Sequence, residues 1–290
     1  MKKDNILYLN AIAETLKVNE VLSPLPEAEM LVRHYSKIDR VALYSGLKAV
    51  PAKAKRSIEK ALEIRLTGKP LQYILGETEF CGHRFLVGPD ALIPRPETEL
   101  LVEEALGILS NQYPSQGPQI LDVGTGSGCI AVSLTLARPD SRMTALDISQ
   151  KALAIARKNS QLNGLGKKVS FIKSDLFAAF SADTAENAWD IIVSNPPYIP
   201  QGEMADLPRE VREEPKLALD GGREGLDIIG RILAQAPLFL KKNGWLLMEI
   251  GLGQSGLLAD KIAGDPAYKN LKFVQDHAGI DRFLTVQKNG

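Results

Sequence analysis

The chain has 290 residues, 44% hydrophobic and 24% charged, with 35 basic side chains balanced by 35 acidic ones. That length suffices for one large domain or two smaller ones with a sizeable core, and the missing basic excess argues against a nucleic-acid substrate. Cys81 and Cys129 are too few for a disulfide framework or a zinc site, and His34, His83 and His277 lack ligand spacing, so no metal is expected and a reducing, cytoplasmic setting is.

The first apolar stretch is broken by Asn10 and Glu14, which fits neither a secretory leader nor a membrane span. Residues 4–68 read as short helices. Ile6, Leu7, Leu9, Ala13 and Leu16 recur at roughly helical spacing, and Pro26 opens a second segment with Met30, Leu31 and Tyr35. A third starts near Pro51, carries Ile58, Leu62 and Leu66 on one face, and takes Gly68 as its C-cap. Lys53, Lys55, Arg56, Lys60 and Lys69 cluster here, either as a solvated helix face or as a docking surface. Residues 73–88 mix glycines with short aromatic and β-branched runs and read as a small hairpin. The expected division is a helical domain over 1–72, a hairpin linker over 73–92 and a catalytic domain over 93–290. Pro94 and Pro96 bracket Arg95 ahead of a helix that turns Leu100, Leu101, Ala105 and Leu109 toward a core.

From about residue 118 the pattern alternates. Strands are predicted at 119–123, 142–147, 168–173, 189–194, 244–250, 271–276 and 281–287, and helices at 127–137, 149–163, 225–241 and 254–264. Ser149 is placed as an N-cap, and Asn163-Gly164 closes the same helix. Strands separated by helices imply a mainly parallel sheet covered on both faces. The last two strands are joined only by a short loop and should pair antiparallel, making the sheet mixed. Internal repeats and low-complexity tracts are not seen.

The chemistry concentrates at strand ends. Gly124-Thr125-Gly126-Ser127-Gly128 runs from the first of these strands into a helix, at the edge where open α/β sheets bind ligands. Its G-x-G-x-G spacing differs from the G-x-G-x-x-G that seats a dinucleotide pyrophosphate, and it resembles the nucleoside-binding turn of class I S-adenosylmethionine methyltransferases. Asp147 ends the second strand, where a carboxylate can accept ribose hydroxyls or face a helix N-terminus. Asp175-Leu176 follows the third; the pair can meet an adenine ring, or Asp175 can cap a short helix. The fourth leads into Asn195-Pro196-Pro197-Tyr198. The Asn195 oxygen and the Pro196 carbonyl can accept both hydrogens of one NH2 group, and Tyr198 offers a flat face to a planar acceptor. Holding a poorly nucleophilic amide in line with a methyl donor favours transfer by orientation and electrostatics. The same tetrapeptide also resembles that of enzymes that methylate the amino group of a flipped base, so an adenine N6-methyltransferase is an alternative.

Further segments narrow the reading. Gly68-Lys69-Pro70, Gln72-Tyr73-Ile74, Glu79-Phe80, Ile93-Pro94-Arg95-Pro96-Glu97-Thr98-Glu99, Glu214-Pro215, Gly225-Leu226-Asp227, Glu249-Ile250-Gly251 and the run from Ala278 to Arg282 follow in the order of the release-factor glutamine methyltransferase family, the HemK/PrmC type, which the chain resembles over almost its whole length. The resemblance implies the class I S-adenosylmethionine methyltransferase fold: a seven-stranded mixed, mostly parallel sheet with a helical N-terminal domain and a linking hairpin. It implies S-adenosylmethionine as cofactor, with S-adenosylhomocysteine as product. The acceptor it implies is the glutamine of the Gly-Gly-Gln loop in class 1 peptide chain release factors. Gly124, Thr125, Gly126, Ser127, Gly128, Asp147, Asp175, Leu176 and Asn195 would contact the cofactor; Asn195, Pro196, Pro197 and Tyr198 would hold the glutamine, with Asn195 and Pro196 catalytic. Arg95 and Glu97 would help close the pocket, and the helical domain would dock the release factor. A related enzyme that methylates a ribosomal-protein glutamine shares the turn and the tetrapeptide but carries serine where this chain has Pro96. Neither a nucleic-acid substrate nor a membrane partner is expected, and the chain should be a monomer.

Overall fold

The structure is a computed structural model that describes residues 2–114, 117–180 and 186–290. Its chain forms two compact units, residues 1–76 with 208–213, and residues 77–207 with 214–290.

The first unit is helical: α1 Lys2–Val18, α2 Pro24–Ser36, α3 Arg40–Ser45, α4 Ala52–Leu66 and α5 Leu71–Leu75. The buried stripe of α1 is Asn5, Leu9, Ile12 and Leu16, whereas Leu7 is exposed. Asn5 is tolerated inside because its amide donates to Leu43 O (3.3 Å) and Lys48 O (2.8 Å) and its oxygen accepts from Val50 N (3.2 Å). Helix α2 begins at Pro24, earlier than the expected Pro26, because a proline suits the first turn, where no intrahelical N–H bond is lost. Likewise α4 stops at Leu66 with Thr67 as C-cap, and Gly68 follows at φ +96°. Buried Arg65 donates to Glu27 through two nitrogens (2.7 and 3.0 Å) and to Glu210 at 2.5 Å, so segment 208–213 is held in this unit by a paired buried charge.

The second unit opens with a hairpin, β1 Glu77–Phe80 and β2 His83–Leu86, turned by Cys81 (φ 48°) and Gly82 (φ 72°). Two positive φ values in a two-residue loop match the right-handed strand twist. Helix α6, Pro96–Gln112, buries Leu101, Val102, Ala105 and Leu109; Leu100 is only partly covered, and Val102 takes the place expected for it. Then follow β3 Gln119–Val123, α7 Cys129–Ala137, β4 Arg142–Asp147, α8 Gln150–Leu162, β5 Val169–Lys173 and β6 Trp189–Ser194. The chain finishes with α9 Asp227–Phe239, β7 Leu240–Glu249, α10 Ser255–Ala263, β8 Tyr268–Gln275 and β9 Asp281–Lys288.

The sheet order is β5-β4-β3-β6-β7-β9-β8, parallel except for β9, which runs antiparallel to both neighbours. It is the expected seven-stranded mixed sheet, and its last two strands pair antiparallel as read. Strand β7 starts at Leu240, ahead of the expected 244, because Leu240 already pairs with Trp189 across an irregular register. Ser149 caps α8 by accepting from Ala152 N, and Gly164 follows that helix at φ +74°. Strands β3, β4 and β5 progress in one direction and β6 and β7 return on the other side of β3. The strand order therefore reverses between β3 and β6, the place where open α/β sheets bind ligands.

Candidate active site

The loops leaving β3 and β6 meet because their strands are neighbours, with Val123 opposite Ser194. The Ser194 hydroxyl donates to Val123 O at 2.6 Å, tying the two strand ends together. A cavity of about 280 Å³ opens there, lined by residues of both loops. Of the residues singled out in the sequence, Gly124, Thr125, Gly126, Ser127, Asp147, Asp175, Leu176, Asn195, Pro196 and Pro197 all face it.

The glycine turn is shaped by backbone geometry. Gly124 and Gly126 have φ of 76° and 55°, and an added Cβ on either would meet no atom within 4 Å, so the turn leaves room for a ligand to lie against it. Gly124 N and Thr125 N both donate to Leu146 O at the end of the adjacent β4 (2.9 and 2.8 Å). Asp147 completes the turn: its carboxylate accepts from Gly126 N and Ser149 N, each at 2.8 Å. These two amides orient the acid toward the cavity, while burial pushes its pKa up.

Gly128 differs. It is the N-cap of α7 at φ 80°, and a Cβ there would sit 2.9 Å from Ala156 Cβ on α8. It does not line the cavity; it is glycine so that two helices can pack. Asn159, on the same helix as Ala156, accepts from Leu86 N (2.6 Å) and donates to Leu86 O (3.0 Å) and Ser127 O (2.8 Å). One buried amide thus joins the hairpin to the glycine turn.

On the other wall, Asp175 accepts from Arg231 Nη2 at 2.9 Å, and both residues line the cavity. The alternative helix-cap role for Asp175 is not what forms: residues 175–179 make turns, Leu176 has φ 48°, and the Ser174 hydroxyl accepts from Ala179 N.

At the end of β6, Asn195 Nδ2 donates to Thr98 Oγ1 at 3.1 Å. Thr98 donates in turn to Glu249 Oε2 at 2.6 Å, and the Tyr198 hydroxyl donates to Glu249 Oε1 at 3.1 Å. The Tyr198 ring packs on the core and its hydroxyl serves Glu249, a bond that the reading of a flat face toward the acceptor did not include. The corner is braced from outside. Gln254 Nε2 donates to Tyr198 O (3.0 Å) while its Oε1 accepts from Gly251 N (2.8 Å). A Cβ on Gly221 would fall 2.8 Å from Pro197 O, and one on Gly225 only 2.1 Å from Tyr198 O, so those glycines let the chain pass close to the tetrapeptide.

Arg95 lines the cavity and pairs with Glu214, whose other oxygen accepts from Ile93 N at 2.9 Å; Glu97 is exposed and off the cavity. Glu249 and Glu214 lie in segments that carry the family resemblance but were given no role in the site, and Asn159 and Gln254 belong to none of its motifs. One signal was available for Glu249: a carboxylate directly after the apolar run Trp245–Met248, which is mostly buried, requires partners.

A glycine turn and an acid-tipped second strand beside an Asn-Pro-Pro-Tyr corner, on this strand order, define a class I methyltransferase. The comparisons with known proteins narrow the class. Residues 98–214 match the family described as methyltransferase small domain, and residues 8–76 match the PrmC N-terminal domain. The release factor glutamine methyltransferase of Neisseria gonorrhoeae is 41% identical over 267 residues, covering 90% of this chain and 93% of that one. That of Moorella thermoacetica is 39% identical over 283 residues, 97% of each chain. A methyltransferase structure from Pyrococcus furiosus aligns with a TM-score of 0.51 at 18% identity, covering 83% of this chain and all of that one, which speaks to the fold. The chain belongs to the release factor glutamine methyltransferase family.

Proposed function

We propose that this protein transfers the methyl group of S-adenosylmethionine to the side-chain nitrogen of the glutamine in the Gly-Gly-Gln loop of class 1 peptide chain release factors. Family membership supports the substrate. The observation that carries the chemistry is that the glycine turn and the Asn195–Pro196 corner end neighbouring strands and share one cavity.

The cavity residues suit the donor. The open space over Gly124 and Gly126 accepts its amino-acid portion, Asp147 is held to accept ribose hydroxyls, and Asp175 with Leu176 borders the adenine. Gly128 has a packing role instead. When bound, the sulfonium supplies a methyl group that is already activated. Asn195 Oδ1 and the Pro196 carbonyl each accept one hydrogen of the glutamine NH2, turning the nitrogen lone pair toward that methyl. Among the described residues no base is needed at the nitrogen, because the amide proton becomes acidic once the new N–C bond forms and leaves to solvent. The helical unit docks the release factor, and the enzyme works as a cytoplasmic monomer.

Incubation with labelled S-adenosylmethionine and a release factor should place one methyl on the loop glutamine, read by mass spectrometry. A release factor carrying Gln→Ala at that position should take none. Equal labelling of both would reject the reading.

A further inference from the structure

The carboxamide of Asn195 has two ends of equal shape and opposite polarity. Only one orientation can grip an NH2 group: oxygen to the substrate, nitrogen to the protein. The glutamine reading above therefore requires something behind Asn195 that accepts from its Nδ2 and cannot donate to it.

Thr98 supplies the acceptor, but a hydroxyl is ambivalent, since it can donate as readily as it accepts. Its single proton is committed to Glu249 Oε2 at 2.6 Å. Thr98 is 2% exposed and Glu249 1%, so water does not compete for either group. An ionised carboxylate only accepts, and Glu249 takes a second hydroxyl proton from Tyr198 on its other oxygen. Polarity thus runs one way from the carboxylate: Tyr198 and Thr98 both donate to it, and Thr98 has only lone pairs left for Asn195 Nδ2. Burial, joined by the like charge of Glu97, leaves the Glu249 pKa raised, and the two hydroxyl donors with the charge of Arg282 offset part of that shift.

We propose that Glu249, acting through Thr98, is a positioning residue that fixes which end of the Asn195 carboxamide faces the cavity and so selects an amide over a carboxylate as the acceptor group. Glu249 does not line the cavity and reaches it only through Thr98, which does. The charge of Glu249 sets the direction of every hydrogen bond between it and the substrate.

The inference rests on the proposed function and makes a distinct demand. In Glu249→Gln the shape is kept, but an amide replaces the carboxylate. Tyr198 then donates to the new oxygen, the new NH2 donates to Thr98, the Thr98 proton turns to Asn195, and the carboxamide reverses. The full-length enzyme and two release factors, one with the loop Gln and one with Gln→Glu, provide the test. Three quantities are measured: kcat and KM for methyl transfer, S-adenosylmethionine affinity, and the ratio of affinities for the two release factors.

E249Q should lose about 100-fold or more in kcat. Its cofactor affinity should stay within about threefold, and the Gln-over-Glu preference should fall by about tenfold or more. Thr98→Val should lose kcat similarly while Thr98→Ser, which keeps the hydroxyl, should retain most of it. A merely structural role would lower stability without moving the Gln-to-Glu ratio. E249Q with wild-type kcat and preference overturns the proposal, as does T98V with wild-type kcat; the Thr98 pair decides alone should E249Q fail to fold. Failure of the wild-type enzyme to methylate the release factor rejects the underlying reading instead.

Discussion

Two loops at the ends of adjacent strands form this site, and they are built in opposite ways. The glycine turn after β3 is held from nearby in the chain: positive φ at Gly124 and Gly126, amides on Leu146 O, the Asp147 carboxylate 21 residues from the amide it accepts from, and Asn159 32 residues from Ser127 O. The corner after β6 is rigid in its own chain through two prolines, yet its working end is set from far away. Asn195 leans on Thr98, 97 positions distant, and Thr98 on Glu249, 151 positions distant. A donor common to a whole enzyme class can be held by a short motif. An acceptor group particular to one family needs polarity control assembled from several elements.

Substitutions can separate these two designs. The largest effect should come from the corner: Asn195→Ala removes an acceptor made useful only during transfer and should lower kcat about 1000-fold, measured by label incorporation at saturating release factor. The glycines should split by location. Gly126→Ala forces a left-handed residue, at roughly 1–2 kcal/mol, and projects a methyl into the cavity. Calorimetry should therefore show cofactor binding weakened at least about tenfold, with a modest loss of melting temperature. Gly128→Ala combines the same strain with a clash against Ala156, so its loss of stability in urea should be the greater, by about 1–3 kcal/mol. Equal behaviour of the two variants would refute the division between ligand-facing and helix-packing glycines.

A pH measurement probes the turn from beneath. Burial pushes the Asp122 pKa up to about 7 from an ordinary 3.8, against the Thr125 hydroxyl and the nearby Ala131 amide, which favour the charge. Between about pH 4 and about pH 7 the native state therefore holds a proton that the unfolded chain has released. Stability should fall as pH rises through that window and level off above it. The urea midpoint of Asp122→Asn should show a shallower slope, the remainder belonging to Asp147 and Glu249, whose pKa burial also raises, and an unchanged slope would exclude Asp122 as a source. The smallest effect should be at Tyr198→Phe, which removes one donor to Glu249 while Thr98 still donates. A loss of several-fold in kcat, about 1 kcal/mol, is expected. Full activity would leave the ring, not the hydroxyl, as the useful part of Tyr198.

Much of this molecule was legible in its residues because the relevant forces are local. Short, mainly apolar runs between helical segments placed β3, β4 and β6 to the residue, since central strands covered on both faces are rich in apolar side chains. Ser149 and Gly164 bounded α8 because capping depends on a few adjacent atoms. The ligand-facing strand ends followed from the same logic. What the residue string could not show was decided by packing between distant segments. It could not distinguish Gly128 from Gly126, because only the approach of α8 makes one of them a packing glycine. It could not turn the Tyr198 hydroxyl toward Glu249, nor seat Asn5 in a core. Polar side chains enter an interior only where partners from elsewhere meet them, and those partners exist only once the sheet has assembled.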